Sequence, residues 1–226
     1  MKSIKFPDPL PIAAIIDRPL PFSRIRALVR GGVDLFEVRA DLFPADFAKT
    51  LAYVKLLRNT VRCPLIGTIR ETRANRADRL WMFGQLMPFI DIVDIEIDAA
   101  INRDVVRMAH AAKKTVMVSV HDFARMPADA GLRAIERTAR QRGADIVKIA
   151  GNARSPKDAL RLLEFCRSRK RPMVAVAMGK AGGITRLIAP IFGSLFTYGY
   201  IERPVAPGQI SAAELLKDRK RYFGSR

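Results

Sequence analysis

Eight short apolar runs alternate with helix-forming stretches along the chain, no linker divides it, and several runs turn polar late on one face. Together these predict an α/β protein folded as one (β/α)8 TIM barrel spanning residues 1–226. The runs cover residues 12–16, 33–38, 64–69, 90–97, 115–120, 145–149, 172–177 and 194–198. A doubly wound open sheet is the competing architecture. Its glycine-rich turn after the first strand is missing, because Ile16 runs directly into Asp17-Arg18-Pro19.

The intervening stretches have helical spacing and strong helix formers, clearest over residues 47–58, 105–113, 132–142 and 159–169. Breakers precede several strands: Gly31-Gly32, Pro64, Gly143 and Pro172. Ser155-Pro156 reads as a helix N-cap followed by proline at the first helical position. The basic segment from Lys217 to Arg221 reads as the solvated face of a last helix.

With 226 residues, 49% of them hydrophobic, the chain can bury a substantial core. Its two cysteines, Cys63 and Cys166, lie far apart and in no metal-like or redox spacing. A reducing, cytoplasmic setting is the simpler expectation, with neither a disulfide framework nor a metal site. The apolar stretch of residues 10–16 is interrupted by Pro11 and is too short for a membrane span. The net charge of +18 admits an acidic partner or an anionic substrate. No aromatic residues are interleaved with the cations to form a stacking platform, so no specific nucleic-acid partner is expected.

Side chains alternate along a strand, and in a barrel one face points to the axis. This groups Leu35, Glu37 and Arg39; Ile66, Thr68 and Arg70; Ile92, Asp94 and Glu96; Met117, Ser119 and His121; and Ile146, Lys148 and Ala150. Each trio begins apolar, and the first four end polar or ionisable while Lys148 sits mid-trio. A buried ion pair would account for any one of them. Five together converge on the C-terminal face of a barrel, where such folds carry their chemistry.

Lys148 is the pivot. An ammonium in an apolar strand must be paired, snorkel to water, or lose its proton. A lysine that loses its proton is a nucleophile suited to forming a Schiff base with a carbonyl. Placed among other cations, its amine pKa is expected to fall. His121, at the neighbouring strand end, is the matching general acid/base, whereas His110 reads as a surface residue.

These segments resemble the type I 3-dehydroquinate dehydratases, the Schiff-base class. Asp94-Ile95-Glu96-Ile97 followed by Val116-Met117-Val118-Ser119-Val120-His121-Asp122 is similar to the family's signature segment. Asp145-Ile146-Val147-Lys148 matches the strand carrying its Schiff-base lysine, Glu37-Val38-Arg39-Ala40-Asp41 its second-strand element, and Thr68-Ile69-Arg70 its third strand. Ala177-Met178-Gly179-Lys180 running on to Thr185-Arg186 resembles the seventh strand and substrate-arginine segment. Ala206-Pro207-Gly208-Gln209-Ile210-Ser211 resembles the lid, where Val205 stands at a position that the family commonly fills with serine or threonine.

The resemblance implies a homodimeric barrel of the shikimate route that uses no metal or organic cofactor. Lys148 would form an imine with the ring ketone of 3-dehydroquinate, and His121 would move the protons. Arg186 would bind the substrate carboxylate. Glu37, Arg39 and Arg70 would hold ring hydroxyls and orient the lysine, and Gln209 would close over the ring. Two other readings stand beside this one. Gly179-Lys180-Ala181-Gly182-Gly183 lies where barrels bind phosphate, which would suit a Schiff-base aldolase acting on a phosphorylated sugar. The charge alone would suit a non-catalytic barrel that binds polyanions.

Overall fold

The alternation of apolar runs with helix formers produces a repeating strand–helix chain. In the computed structural model, residues 6, 9–44, 46–206 and 208–224 are described. In chain order the elements are β1 (Ile12–Ile16), α1 (Phe22–Arg30), β2 (Leu35–Arg39), α2 (Phe47–Thr60), β3 (Leu65–Thr68), α3 (Arg79–Leu86), β4 (Ile92–Glu96), α4 (Asn102–Ala111), β5 (Thr115–Asp122), α5 (Asp129–Gln141), β6 (Ile146–Asn152), α6 (Pro156–Arg167), β7 (Met173–Met178), α7 (Thr185–Ile188), β8 (Thr197–Tyr200), β9 (Ile210–Ser211) and α8 (Ala212–Phe223).

All the pairings are parallel, in the order β7-β6-β5-β4-β3-β2-β1-β8-β9. The sheet curls into the expected barrel, and β7 meets the segment leading into β8 through an isolated parallel bridge, Met173 to Ser194. That seam explains why the eighth strand begins later than the sequence predicts. Ser194 Oγ accepts from Ala175 N–H at 3.1 Å and donates to the Phe196 carbonyl at 3.0 Å, so its side chain takes part of the ladder's role. The second strand also starts late. Val33 N–H is committed to Leu28 O at 3.0 Å, closing the end of α1, and the Asp34 carboxylate accepts from Ile12 N–H at 2.8 Å.

Local signals set the helix starts. Ser155 and Asp158 form a reciprocal capping box with Pro156 at the first helical position, as its sequence predicts. Ser211 and Glu214 do the same for α8, which contains the basic segment 217–221. Asp46 caps α2 by accepting from Ala48 and Lys49 N–H.

Two apolar layers result. The outer layer lies between strands and helices and includes Phe36, Leu57, Phe83, Leu162 and Leu215. The inner one fills the barrel with Ala13, Leu35, Ile66, Ile92, Met117, Ile146, Val174 and Phe196. The five inward-facing sets predicted from alternation therefore face inward, each beginning in this plug. Burying such a side chain contributes about 1.5–3 kcal/mol. No helix among the described residues is long and apolar enough to cross a membrane.

Candidate active site

Above the plug, at the C-terminal ends of the strands, lies a cavity of about 620 Å³. It is lined by every residue to which the family resemblance gave a role in chemistry or substrate binding: Glu37, Arg39, Arg70, His121, Lys148, Arg186 and Gln209. Strands supply Glu37, Arg39, His121 and Lys148, and Arg70 follows the end of β3 by two residues, so the barrel's wall positions all five.

Lys148 is the one lysine buried among the described residues, with its residue 5% exposed. Its Nζ donates to Asp94 at 2.9 Å and to the Tyr198 hydroxyl at 3.1 Å, and lies 3.6 Å from Glu37. The ammonium also sits 4.3 Å from the centre of the Tyr198 ring. The expectation of a lysine crowded by cations needs correcting here. Two carboxylates and a phenol are its direct partners, because strand tilt brings the Asp94 and Glu37 side chains to its level.

Asp94 is completely buried and accepts from Ser119 Oγ at 2.6 Å, Arg70 at 2.9 Å and Lys148. Burial opposes its ionisation, but Arg70 and Lys148 outweigh that and hold its carboxyl well below the usual carboxylate range. Arg70 spans the wall, bonding Ser119 at 3.1 Å and pairing with Glu96 at 3.1 Å. Burial works against its charge, yet Asp94, Glu96 and Glu37 push its pKa above the ordinary value. Arg39 is locked by a bidentate pair to Asp41 at 3.0 and 2.7 Å, which accounts for the aspartate two residues after it. Glu37 is fixed by the Thr68 hydroxyl at 2.8 Å.

His121 sits one inward-facing position beyond Ser119 on β5. Ser119 pairs with Lys148 and His121 with Ala150, so the imidazole lies diagonally above the lysine. It stacks on Phe123, with ring centres 6.3 Å apart. Burial, then Arg70 and Lys148, depress its pKa well below 6.5. At neutral pH the ring is an uncharged base.

Arg186, at the start of α7, is handled differently. It is 3% exposed, its Nε has no hydrogen-bond partner among the described residues, and burial alone lowers its pKa to about 10. A buried guanidinium without an anion is costly, and its position on the cavity wall suits an anionic ligand. Beside it, the glycines at 179–183 have a packing explanation. A Cβ on Gly182 would meet the Ala177 carbonyl oxygen, and Gly179 has φ +79°. None of the residues 179–183 lines the cavity.

The lid braces itself. Gln209 Oε1 accepts from Val205 N–H at 2.6 Å and Ala206 N–H at 3.2 Å, and Val205, Ala206 and Gln209 all border the cavity. Pro207, within the lid motif, lies outside the described residues. Val205 packs against the inner apolar layer.

Sequence reasoning did not assign three participants. Asp94 was on a predicted inward face, but contact with Lys148 depends on tilt. Tyr198 closes an apolar run and reads as core, although extending the alternation test to the eighth run would have turned it inward. Arg79, at the start of α3, is 1% exposed, bonds the Ile69 carbonyl at 2.8 Å and pairs with Glu96, bracing the carboxylate that holds Arg70. No local periodicity marks it.

Comparisons with known proteins place the chain as a whole. A family model for type I 3-dehydroquinase matches residues 22–219. The 3-dehydroquinate dehydratase of Methanocella arvoryzae is 37% identical over 192 residues, covering 82% of this chain and 86% of its own. The 3-dehydroquinate dehydratase of Geobacillus kaustophilus superposes with a TM-score of 0.81 at 29% identity over 98% of both chains. The type I enzyme of Clostridium difficile, crystallised with covalently modified comenic acid, gives a TM-score of 0.80 at 26% identity over 97% of this chain and 96% of that one. The resemblance thus runs through sequence and fold alike, and this chain belongs to the type I 3-dehydroquinase family.

Proposed function

We propose that this protein dehydrates 3-dehydroquinate to 3-dehydroshikimate through an imine on Lys148. The neutral amine of Lys148 adds to the ring ketone, and loss of water gives the protonated imine, an electron sink for the adjacent carbon. His121 removes the proton next to the imine carbon, and an enamine forms. The same histidine, now protonated, delivers its proton to the departing ring hydroxyl. Hydrolysis of the conjugated imine releases the product and restores the lysine.

The observation that carries this reading is the pairing of the one lysine buried among the described residues with an uncharged histidine diagonally above it in a single cavity. Arg186 supplies the counter-charge for the substrate carboxylate, in the planar geometry that a guanidinium favours. Arg39 and Arg70 are held by their own carboxylates, so they present fixed donors to ring hydroxyls. Gln209 keeps its amide nitrogen for the ring while its oxygen braces the lid. The protein works as a cytoplasmic homodimer on this reading, and sedimentation at micromolar concentration tests the assembly.

A sugar-phosphate aldolase would need a phosphate cradle at residues 179–183, and those backbone groups close on one another, with Gly182 N–H bonding Gly179 O at 3.1 Å. An absorbance assay discriminates. The protein with 3-dehydroquinate should generate the conjugated enone chromophore, and sugar phosphates should be left uncleaved. The reverse pattern would overturn this reading.

A further inference from the structure

A buried cation on the cavity wall is left without a part in the reaction above. Arg79, at the start of α3, is 1% exposed, although burying a guanidinium gains a fold little. Its Nε donates to the Ile69 carbonyl at 2.8 Å, and Ile69 directly precedes Arg70. Its Nη2 donates to Glu96, the carboxylate that pairs with Arg70 at 3.1 Å. One side chain therefore grips Arg70 twice, through the backbone before it and through the partner of its head group.

These contacts belong to a row of alternating charge. On the outer side Arg76 donates to Glu71 at 2.7 Å, and Glu71 lies 3.7 Å from Arg79. On the inner side Arg70 pairs with Asp94 at 2.9 Å, and Asp94 accepts from Lys148 at 2.9 Å. The row runs from an exposed arginine to the buried lysine. Its inner members each divide their charge between two neighbours, so a change at one alters the next. Lys148 is faced by Asp94 from β4, Glu37 from β2, Tyr198 from β8 and His121 from β5, with Arg70 reaching Asp94 from beyond β3.

Imine formation needs Lys148 as a neutral amine, and Asp94 is its nearest anion, at 2.9 Å against 3.6 Å for Glu37. How firmly Asp94 holds the ammonium depends on how much of its charge Arg70 meets. Glu96 competes for Arg70, and Arg79 occupies Glu96. We propose that Arg79 is a positioning residue for the reaction: it holds Glu96 and the backbone before Arg70, so that Arg70 stays on Asp94 and Asp94 does not lock Lys148 as the ammonium. Without that charge, Glu96 draws Arg70 away and Asp94 falls to the lysine alone. This inference rests on the imine reading of Lys148.

Three variants test it. Arg79→Gln keeps an amide donor and removes the charge, Arg79→Lys keeps the charge, and Glu96→Gln releases Arg70 to Asp94. For each, adduct on Lys148 at saturating 3-dehydroquinate is timed by borohydride quenching, from pH 6 upward until the rate levels. Arg79→Gln should form adduct about tenfold more slowly near pH 7, its profile displaced upward by about one pH unit and meeting the unmodified protein on the alkaline plateau. Arg79→Lys should keep the unmodified profile, whatever it loses in melting temperature. Glu96→Gln should displace the profile the other way, toward lower pH. An unchanged Arg79→Gln profile, or a deficit that persists on the plateau, would reduce Arg79 to a structural brace and overturn the proposal. If Arg79→Gln does not fold, the sign of the Glu96→Gln displacement decides, and an upward or absent one overturns it. Adduct absent from Lys148 in the unmodified protein would instead overturn the imine reading, and this inference with it.

Discussion

On the β2–β6 side of the cavity each charge that builds the wall has a partner. Lys148 is held by Asp94 and Glu37, Arg70 by Asp94 and Glu96, and Arg39 by Asp41. On the β7–α7 side, Arg186 is buried without an anion among the described residues. The partnered wall is complete before any ligand arrives, so its geometry is fixed in advance of the chemistry. The unpartnered arginine is complete only once a negative group enters. On the proposed reading, one wall performs the chemistry and the other captures the substrate.

That division can be broken by mutation. His121→Ala should lower kcat by about 10²–10⁴-fold while borohydride still traps adduct, because proton transfer is lost and the lysine is untouched. A variant with near-normal turnover would remove the histidine from the chemistry. Next come two substitutions with opposite signatures. Asp94→Asn leaves Arg70 and Lys148 with one neutral partner in place of a shared anion, and should cost about 3–5 kcal/mol of stability in denaturant unfolding. Arg186→Met should raise KM about 100-fold, the worth of a charge-assisted bidentate contact, yet leave the melting temperature equal or higher. Equal destabilisation by both would erase the contrast between the walls.

The pH dependence is a milder probe of the same wall. The folded-state pKa of His121 lies below 6.5, so in the window just below pH 6.5 the unfolded chain binds a proton that the folded chain refuses. Its contribution to stability is present above that window and lost as pH falls through it. The acid limb of kcat/KM should likewise fall below pH 6.5, because His121 must be neutral to act as base. A limb above that value would contradict its environment. The smallest effect is expected at the lid. Val205→Ser gives the cavity border a hydroxyl and should lower KM by only a few fold, the worth of one neutral hydrogen bond of about 0.5–1.5 kcal/mol.

Much of this was legible before the fold was seen. Period-two alternation turned Glu37, Arg70, Asp94, His121 and Lys148 inward, because a strand inside a barrel has only two faces. The capping box at Ser155 and Asp158 was signalled by residues adjacent in sequence. What alternation cannot supply is the height at which neighbouring strands meet. The tilt of the strands decides that Asp94, rather than a cation, reaches Lys148, and that Tyr198 lies under the ammonium. The start of β8 was misplaced for a related reason, since Ser194 replaces ladder contacts with its side chain. Arg79 was invisible because its anchor, the Ile69 carbonyl, is ten residues earlier across an irregular connection.

The most direct measurement is mass mapping of the protein after borohydride reduction in the presence of 3-dehydroquinate. The account predicts a single reduced adduct on Lys148, abolished by Lys148→Ala and retained in His121→Ala. An adduct on another residue, or turnover with no adduct at all, would contradict it.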